Sequence, residues 1–140
     1  NGERYHARKA GLKLGFDSTP EAEQMVLDAL KDKFWNIREL ALDKVNSLTG
    51  ENADAALKIV KSMVEMDPKS SVRARAITVL ETMMEDEDAR KEIYANAVMN
   101  DRSYSVVTEA LAGLASIDPD LAMAEVLICV CRRQINRVWL

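Results

Sequence analysis

The residues from which catalytic and metal sites are usually assembled are scarce in this sequence. Histidine occurs once, at His6. A zinc site of the His-Glu-x-x-His type needs two histidines a helical turn apart, so it cannot form within the chain, and no Gly-x-Ser-x-Gly turn exposes a serine nucleophile. His6 therefore reads as a surface histidine on a helix flank. Glycine occurs at Gly2, Gly11, Gly15, Gly50 and Gly113, which never cluster into a phosphate-cradling loop. Gly15 and Gly50 fall where helices should end and read as C-caps or turns. The only cysteines, Cys129 and Cys131, stand two residues apart. On a helix they point to different sides, a bond between them would be strained, and nothing supplies further metal ligands, so they read as ordinary thiols.

Aromatic residues make up only 5% of the chain although 48% of it is hydrophobic, so the core must be built from Ala, Leu, Val, Ile and Met, which favours packed helices over a β-sandwich. No apolar run reaches the ~18 residues of a membrane span, and no charged, apolar, then small-residue leader opens the sequence. The formal charge of -4 comes from 23 acidic and 19 basic residues that are interspersed, leaving no basic face for nucleic acid. At 140 residues the chain fits a single domain that buries roughly two-thirds of its unfolded surface without disulfide or metal.

What the sequence does contain is a repeat. The stretches Asp32-Lys-Phe-Trp-Asn-Ile-Arg38, Asp67-Pro-Lys-Ser-Ser-Val-Arg73 and Asp101-Arg-Ser-Tyr-Ser-Val-Val107 superimpose without gaps at spacings of 35 and 34 residues. Each ends on a β-branched aliphatic, Ile37, Val72 or Val106, preceded by Asn36, Ser71 or Ser105. Asn and Ser are favoured N-caps because their side-chain oxygens accept an unpaired N–H of the first turn, so a helix is expected to start at each of these points. Four residues past the aliphatic lie Ala41, Ala76 and Ala110, and five past it Leu42, Ile77 and Leu111. Eight past it come Val45, Leu80 and Leu114, and eleven past it Leu48, Met83 and Ile117. These offsets share one face of a helix, and the recurrent alanine lets a neighbouring helix approach closely. A degraded earlier copy runs from Ala7, with Gly11 in the alanine position and Leu12 beside it.

The intervening segments read as partner helices. Thr19-Pro20-Glu21 starts one that runs to about Leu30. Asn52 or Glu51 opens the next, with Ile59, Val60, Met63 and Val64 as its buried stripe. Asp86 opens a third, with Ile93, Tyr94, Ala97 and Val98 in the same places, and Asp118-Pro119-Asp120 opens the last, through Leu121, Val126 and Leu127 toward Cys131. The expected fold is all-α, a HEAT- or armadillo-like α-α superhelix of antiparallel helix pairs. Residues 1–140 form one repeat domain of about three full repeats with flanking half-repeats. The second helices lie near residues 3–15, 36–49, 71–84 and 105–117, and the final helix runs from residue 119.

Several side chains stand out against this framework. The acidic run Glu85-Asp86-Glu87-Asp88 falls at a helix N-terminus, where negative charge is favoured, and reads as capping. Asp32 with Arg38, and Asp67 with Arg73, recur at identical spacing and predict an intra-repeat or inter-repeat ladder that Val107 ends in the third copy. Trp35 and Tyr104 occupy equivalent turn positions where the middle copy has Ser70, and serve either as recognition anchors or as packing in the groove between repeats. The face of the second helices is the candidate interaction surface, because solenoids bind with such surfaces. Its polar residues include Glu39, Asp43, Asn46, Arg75, Thr78, Glu81 and Thr108, which are mixed in sign and define no ligand.

The order of these motifs, Asp32-Lys-Phe-Trp-Asn-Ile-Arg38, then Asp67 with Ser71-Val-Arg-Ala74, then Asp101-Arg-Ser-Tyr-Ser-Val106 with Glu109-Ala-Leu111 and Ile117-Asp-Pro119, resembles the C-terminal helical-repeat region of zinc aminopeptidases of the aminopeptidase N family, from about residue 3 to residue 126. The resemblance implies a non-catalytic domain that follows a thermolysin-like zinc domain, arches over its cavity and limits or guides peptide access. The zinc and its ligands would belong to that upstream domain, and none of them maps onto this chain. The expected partners are the upstream domain and the peptide substrate. Cys129 to Leu140, including Arg132-Arg-Gln-Ile-Asn-Arg137, departs from the pattern and fits no repeat. A start inside a repeat and a close on Val138-Trp139-Leu140 lead us to expect a piece of a longer chain, with ends open to self-association. The alternative is a stand-alone HEAT-repeat scaffold for protein binding, with no enzyme attached.

Overall fold

The computed structural model describes residues 2–13 and 19–138. The expected turn at Gly15, the last two residues of the helix placed near 3–15 and the closing Trp139 and Leu140 lie outside them. Among the described residues all regular structure is helical: α1 Gly2–Lys13, α2 Pro20–Leu30, α3 Trp35–Leu42, α4 Gly50–Met66, α5 Ser70–Met83, α6 Glu87–Asn100, α7 Tyr104–Ile117 and α8 Pro119–Val138, with a 3-10 turn at Val45–Ser47. Helix α3 packs on α1 and α5, and α5 on α7. The intervening α2 packs on α3 and α4, α4 on α5, and α6 on α7 and α8.

The aliphatic and alanine positions of the repeat explain this packing. Ile37, Val72 and Val106, and Ala41, Ala76 and Ala110, are completely buried. A side chain of one methyl at the contact face lets helix axes come close, and the larger Leu42, Ile77, Leu80 and Leu114 fill the space between them. On the partner helices the stripe is Val60, Met63 and Val64 in α4 and Tyr94, Ala97 and Val98 in α6, with Ile59 and Ile93 half-buried at its margin. Tyr94 needs a gap opposite it. Gly113 of α7 provides one, since a Cβ there would lie 2.7 Å from Tyr94 Cε2.

Helix starts differ from expectation in an instructive way. The Thr19 hydroxyl accepts from the Ala22 N–H at 3.2 Å, Asp86 Oδ1 from Ala89 at 3.0 Å, and Asp118 Oδ1 from Leu121 at 3.0 Å, as capping residues should. Asn36, Ser71 and Ser105 are not caps. Helices α3, α5 and α7 start one residue before each of them, and the N-cap positions Phe34, Lys69 and Ser103 make no side-chain cap bond. The conserved-spacing aspartate takes over instead, with Asp32, Asp67 and Asp101 each accepting the N–H of the N-cap residue two positions on, at 2.9, 2.9 and 2.8 Å. An aspartate can hold a turn this way whatever residue follows, so the cap position itself is free to vary.

The second correction concerns the helix expected over 36–49. It stops at Leu42, and the chain continues through the 3-10 turn before α4. Asn46, Ser47 and Thr49 are weak helix formers whose side chains compete for backbone partners. The tighter turn still keeps Val45 and Leu48 buried. Helix α4 then begins at Gly50, not at Glu51 or Asn52. Gly50 has φ +54, a left-handed conformation that glycine adopts without a Cβ penalty, but it stands at the start of α4 and not at the end of a helix, so it is no C-cap. The final helix reaches Val138, well past Cys131, and includes the segment that matches no repeat.

Candidate functional site

The face formed by α3, α5 and α7 carries a groove of about 450 Å³ lined by Glu39, Asp43, Ser71, Ala74, Arg75, Thr78, Ser105 and Glu109. Its middle is supplied by α5, where Ser71, Ala74 and Thr78 follow at intervals of three and four residues and line up along one side of the helix. These small side chains leave the depression open. Carboxylates stand on either side, Glu39 and Asp43 from α3 and Glu109 from α7. Arg75 crosses to Asp43, with Nη2 at 2.6 Å and Nε at 3.0 Å from the same oxygen. Both partners of that pair are about half exposed, so it stabilises by about 1 kcal/mol at most. Among the described residues, neither Glu39 nor Glu109 has a hydrogen-bonding or ion-pair partner for its carboxylate.

Of the face residues expected from sequence, Glu39, Asp43, Arg75 and Thr78 come together in this groove. Asn46, Glu81 and Thr108 do not. The Asn46 side-chain oxygen accepts from the Thr82 hydroxyl at 3.0 Å, farther along the face, and the Thr108 hydroxyl turns back to the Tyr104 carbonyl at 2.8 Å. Glu81 is exposed beyond the groove, its backbone carbonyl accepting from Arg90. Glu109, Ser71, Ala74 and Ser105 are the additions. Glu109 was legible in principle, because it stands three residues past Val106 as Arg75 stands three past Val72.

The aspartates and arginines of the repeat form a ladder that runs between copies. Asp67 accepts from Arg38 through both oxygens, at 2.7 Å from Nε and 2.8 Å from Nη2, and both side chains are buried. Asp101 receives Arg73 in the same fashion at 2.7 and 3.0 Å. The arginine's remaining nitrogen bonds back to its own turn, Arg38 Nη1 to the Asp32 carbonyl and Arg73 Nη1 to the Asp67 carbonyl, each at 2.8 Å. Each arginine therefore clamps two consecutive turns, with the fork geometry that only guanidinium offers.

A further rung, missed in the sequence, joins Arg8 to Asp32. Arg8 follows Ala7 as Arg38 follows Ile37, so the degraded first copy already carried the signal. Burial pushes the Asp101 and Asp32 carboxyls upward. For Asp101 the Arg73 guanidinium and the Ser103 N–H outweigh that effect, for Asp32 the Phe34 N–H and Arg8 do, and both carboxyls end below the ordinary value of 3.8. The Asp101 carboxylate also raises the Arg73 guanidinium against the cost of burial.

The remaining candidates take structural places. Asp86 caps α6 while Glu87 and Asp88 pair with Arg90 and Lys91 one turn on, so the acidic run serves its own helix. His6 is exposed, edge-on to Tyr5 with ring centres 5.3 Å apart. Trp35 lies on the surface under the Lys69 ammonium, 4.8 Å from the ring centre, a contact between consecutive copies. Tyr104 is exposed. Cys129 and Cys131 are free thiols. Among the described residues no cluster of three His, Cys, Asp or Glu side chains could hold a metal ion, and no helix is long and apolar enough to cross a membrane. Comparison with protein families, with curated proteins and with solved structures returns no match for this chain.

Proposed function

We propose that this chain is a HEAT-like solenoid domain without catalytic groups of its own, which receives extended polypeptide on the α3, α5 and α7 face. The observation that carries the reading is the repeated clamp. Arg8, Arg38 and Arg73 each reach the aspartate of the following copy, and this contact fixes consecutive helix pairs in one relative orientation and leaves their second helices side by side. Such a surface suits a chain that lies across several helices, with the unpaired Glu39 and Glu109 available to its polar groups.

Within that reading we assign the domain to the C-terminal part of a zinc aminopeptidase, where it covers the cavity of an upstream catalytic domain and limits which peptides enter. The support is the order of the three repeat motifs. The test is to read the frame upstream of Asn1, then to assay the 140 residues and the whole product of that frame on aminoacyl reporters and on peptides of graded length. We expect an upstream His-Glu-x-x-His, activity only in the larger protein, and altered length preference when the repeat domain is removed. Hydrolysis by the 140 residues alone, or a frame with no zinc motif, overturns the assignment. In the latter case the open groove favours a protein-binding scaffold, which a peptide array on the isolated domain would reveal.

A further inference from the structure

The groove on the α3, α5 and α7 face holds more negative charge than it neutralises. Glu39, Asp43 and Glu109 line it, and Arg75 is the one cation among its described lining residues. Arg75 is committed already, since its Nη2 and Nε both bond Asp43 Oδ1. That leaves the two glutamates, which come from the helices on opposite sides of α5, without a compensating charge. Both residues are partly buried, and neither carboxylate has a hydrogen-bonding or ion-pair partner among the described residues. Covered acids of the repeats are paired elsewhere: Asp32, Asp67 and Asp101 each receive an arginine, and Glu23 receives the Thr49 hydroxyl at 3.1 Å and the Asn52 amide at 2.7 Å. What the groove lacks is a cation.

A second observation, independent of the carboxylates, comes from Ser71. Its hydroxyl oxygen is buried and has no hydrogen-bond partner among the described residues. The other hydroxyls of the groove are satisfied within the chain, Thr78 by the Arg75 carbonyl at 2.8 Å and Ser105 by the Ser103 hydroxyl at 2.8 Å. A buried hydroxyl left unpaired is uncommon and costs free energy, so Ser71 marks a second polar group with a partner missing. It lies between the two glutamate-bearing helices, on α5, which packs against both. The space of about 450 Å³, over a floor that includes Ala74, admits a short stretch of extended chain with one long side chain.

We infer that the groove selects polypeptide that presents a lysine or arginine side chain, with Glu39 and Glu109 holding the cation and the Ser71 hydroxyl pairing with it or with the backbone beside it. Arginine suits the site better than lysine, because its planar fork serves a carboxylate and a hydroxyl at once. An acidic side chain in the same place is repelled. The inference rests on the reading of this face as a polypeptide-binding surface and adds which residue it recognises.

Amide chemical-shift titration of the 140-residue chain tests it, because it reports both where and how tightly a weak ligand binds. The probes are short peptides of uncharged residues, blocked at both ends, whose central residue is arginine, lysine, citrulline or glutamate. The arginine peptide should bind at least about fivefold more tightly than its neutral isostere citrulline, and the glutamate peptide most weakly. Shifts should centre on Glu39, Ser71 and Glu109. Glu39→Gln/Glu109→Gln should abolish the arginine advantage. Glu81→Gln/Glu85→Gln removes the same charge from exposed positions outside the groove and should keep it, which separates the site from the attraction of the chain's net charge of -4. Ser71→Ala should weaken the arginine peptide about two- to tenfold without lowering stability in urea.

Helix content by circular dichroism controls for folding, and the single variants Glu39→Gln and Glu109→Gln replace the double one should it lose helix. Peptides that bind on this face with no preference for arginine over citrulline overturn the selection for charge and leave the polypeptide-binding reading standing. So does an arginine preference that survives Glu39→Gln/Glu109→Gln, one that Glu81→Gln/Glu85→Gln abolishes equally, or binding indifferent to Ser71→Ala. Shifts on this face with none of the four peptides overturn both. Spermidine that binds as tightly as the arginine peptide gives the groove to free polyamines and overturns the polypeptide as source.

Discussion

Gly113 and Gly11 both lie inside helices, where glycine is less favourable than alanine by about 1 kcal/mol, yet a methyl group at the two sites meets different neighbours. At Gly113 the added Cβ would lie 2.7 Å from a carbon of the Tyr94 ring, a rigid group that is only 1% exposed. At Gly11 it would lie 3.0 Å from Met25 Sδ, the movable end of a half-buried side chain. Gly113→Ala should therefore destabilise by about 1–3 kcal/mol through overpacking. Gly11→Ala should be neutral or stabilising by up to about 1 kcal/mol. Urea denaturation of the two variants against the parent checks both signs. Sequence alone could not separate these residues. It shows a glycine in a helical pattern in each case, and the ring that makes Gly113 necessary comes from another helix.

At the level of single elements, Arg38 shows how a helix is tied to its neighbours. From the first turn of α3 it holds two carbonyls of the preceding turn and, through Asp67, the turn that opens α5. Arg38→Ala leaves the buried Asp67 carboxylate without its guanidinium and should cost about 3–5 kcal/mol, whereas removing the exposed Arg75 of the groove should cost no more than about 1 kcal/mol. Chemical denaturation of the two variants measures the contrast. The elements themselves were largely readable. Helices α1, α3, α5 and α7 follow from a period of about 35 residues, because offsets of four, five and eight from one aliphatic leave a single face to bury, and the partner helices follow from their start signals and apolar stripes. What escaped was local. The caps were assigned to Asn36, Ser71 and Ser105 by propensity, but an aspartate anchored from the previous copy had already fixed each turn, and the break in α3 depended on how Asn46, Ser47 and Thr49 weigh against one buried valine. The groove was half legible for a related reason: repeat register locates a position on a helix, but which side chains converge depends on the neighbouring helices.

At the scale of the molecule the ladder ties α1, α3 and α5 to the turns that open α3, α5 and α7, and its acid sensitivity should be a property of the fold as a whole. The Asp32 and Asp101 carboxyls have folded-state values below 3.8, so the unfolded chain binds protons first as pH falls. Their contribution is complete above about pH 4 and is lost as pH drops through the lowered folded values. Stability measured by denaturant titration from pH 7 to acid should fall in that window, and Asp101→Asn should flatten the fall while lowering stability at pH 7. The carboxylate pairing of the ladder also has a direction, since Arg8, Arg38 and Arg73 each pair with the aspartate side chain of the next copy, while Arg38 and Arg73 bond back only to backbone carbonyls. A duplicated repeat could be inserted anywhere upstream of Asp101, because it would bring one group to be held and one to hold. After the third copy it could not. Val107, buried where an arginine would stand, leaves any added repeat without an anchor. A rung can thus be added inside the ladder and not beyond α7, where α8 brings neither the aspartate nor the arginine at that spacing.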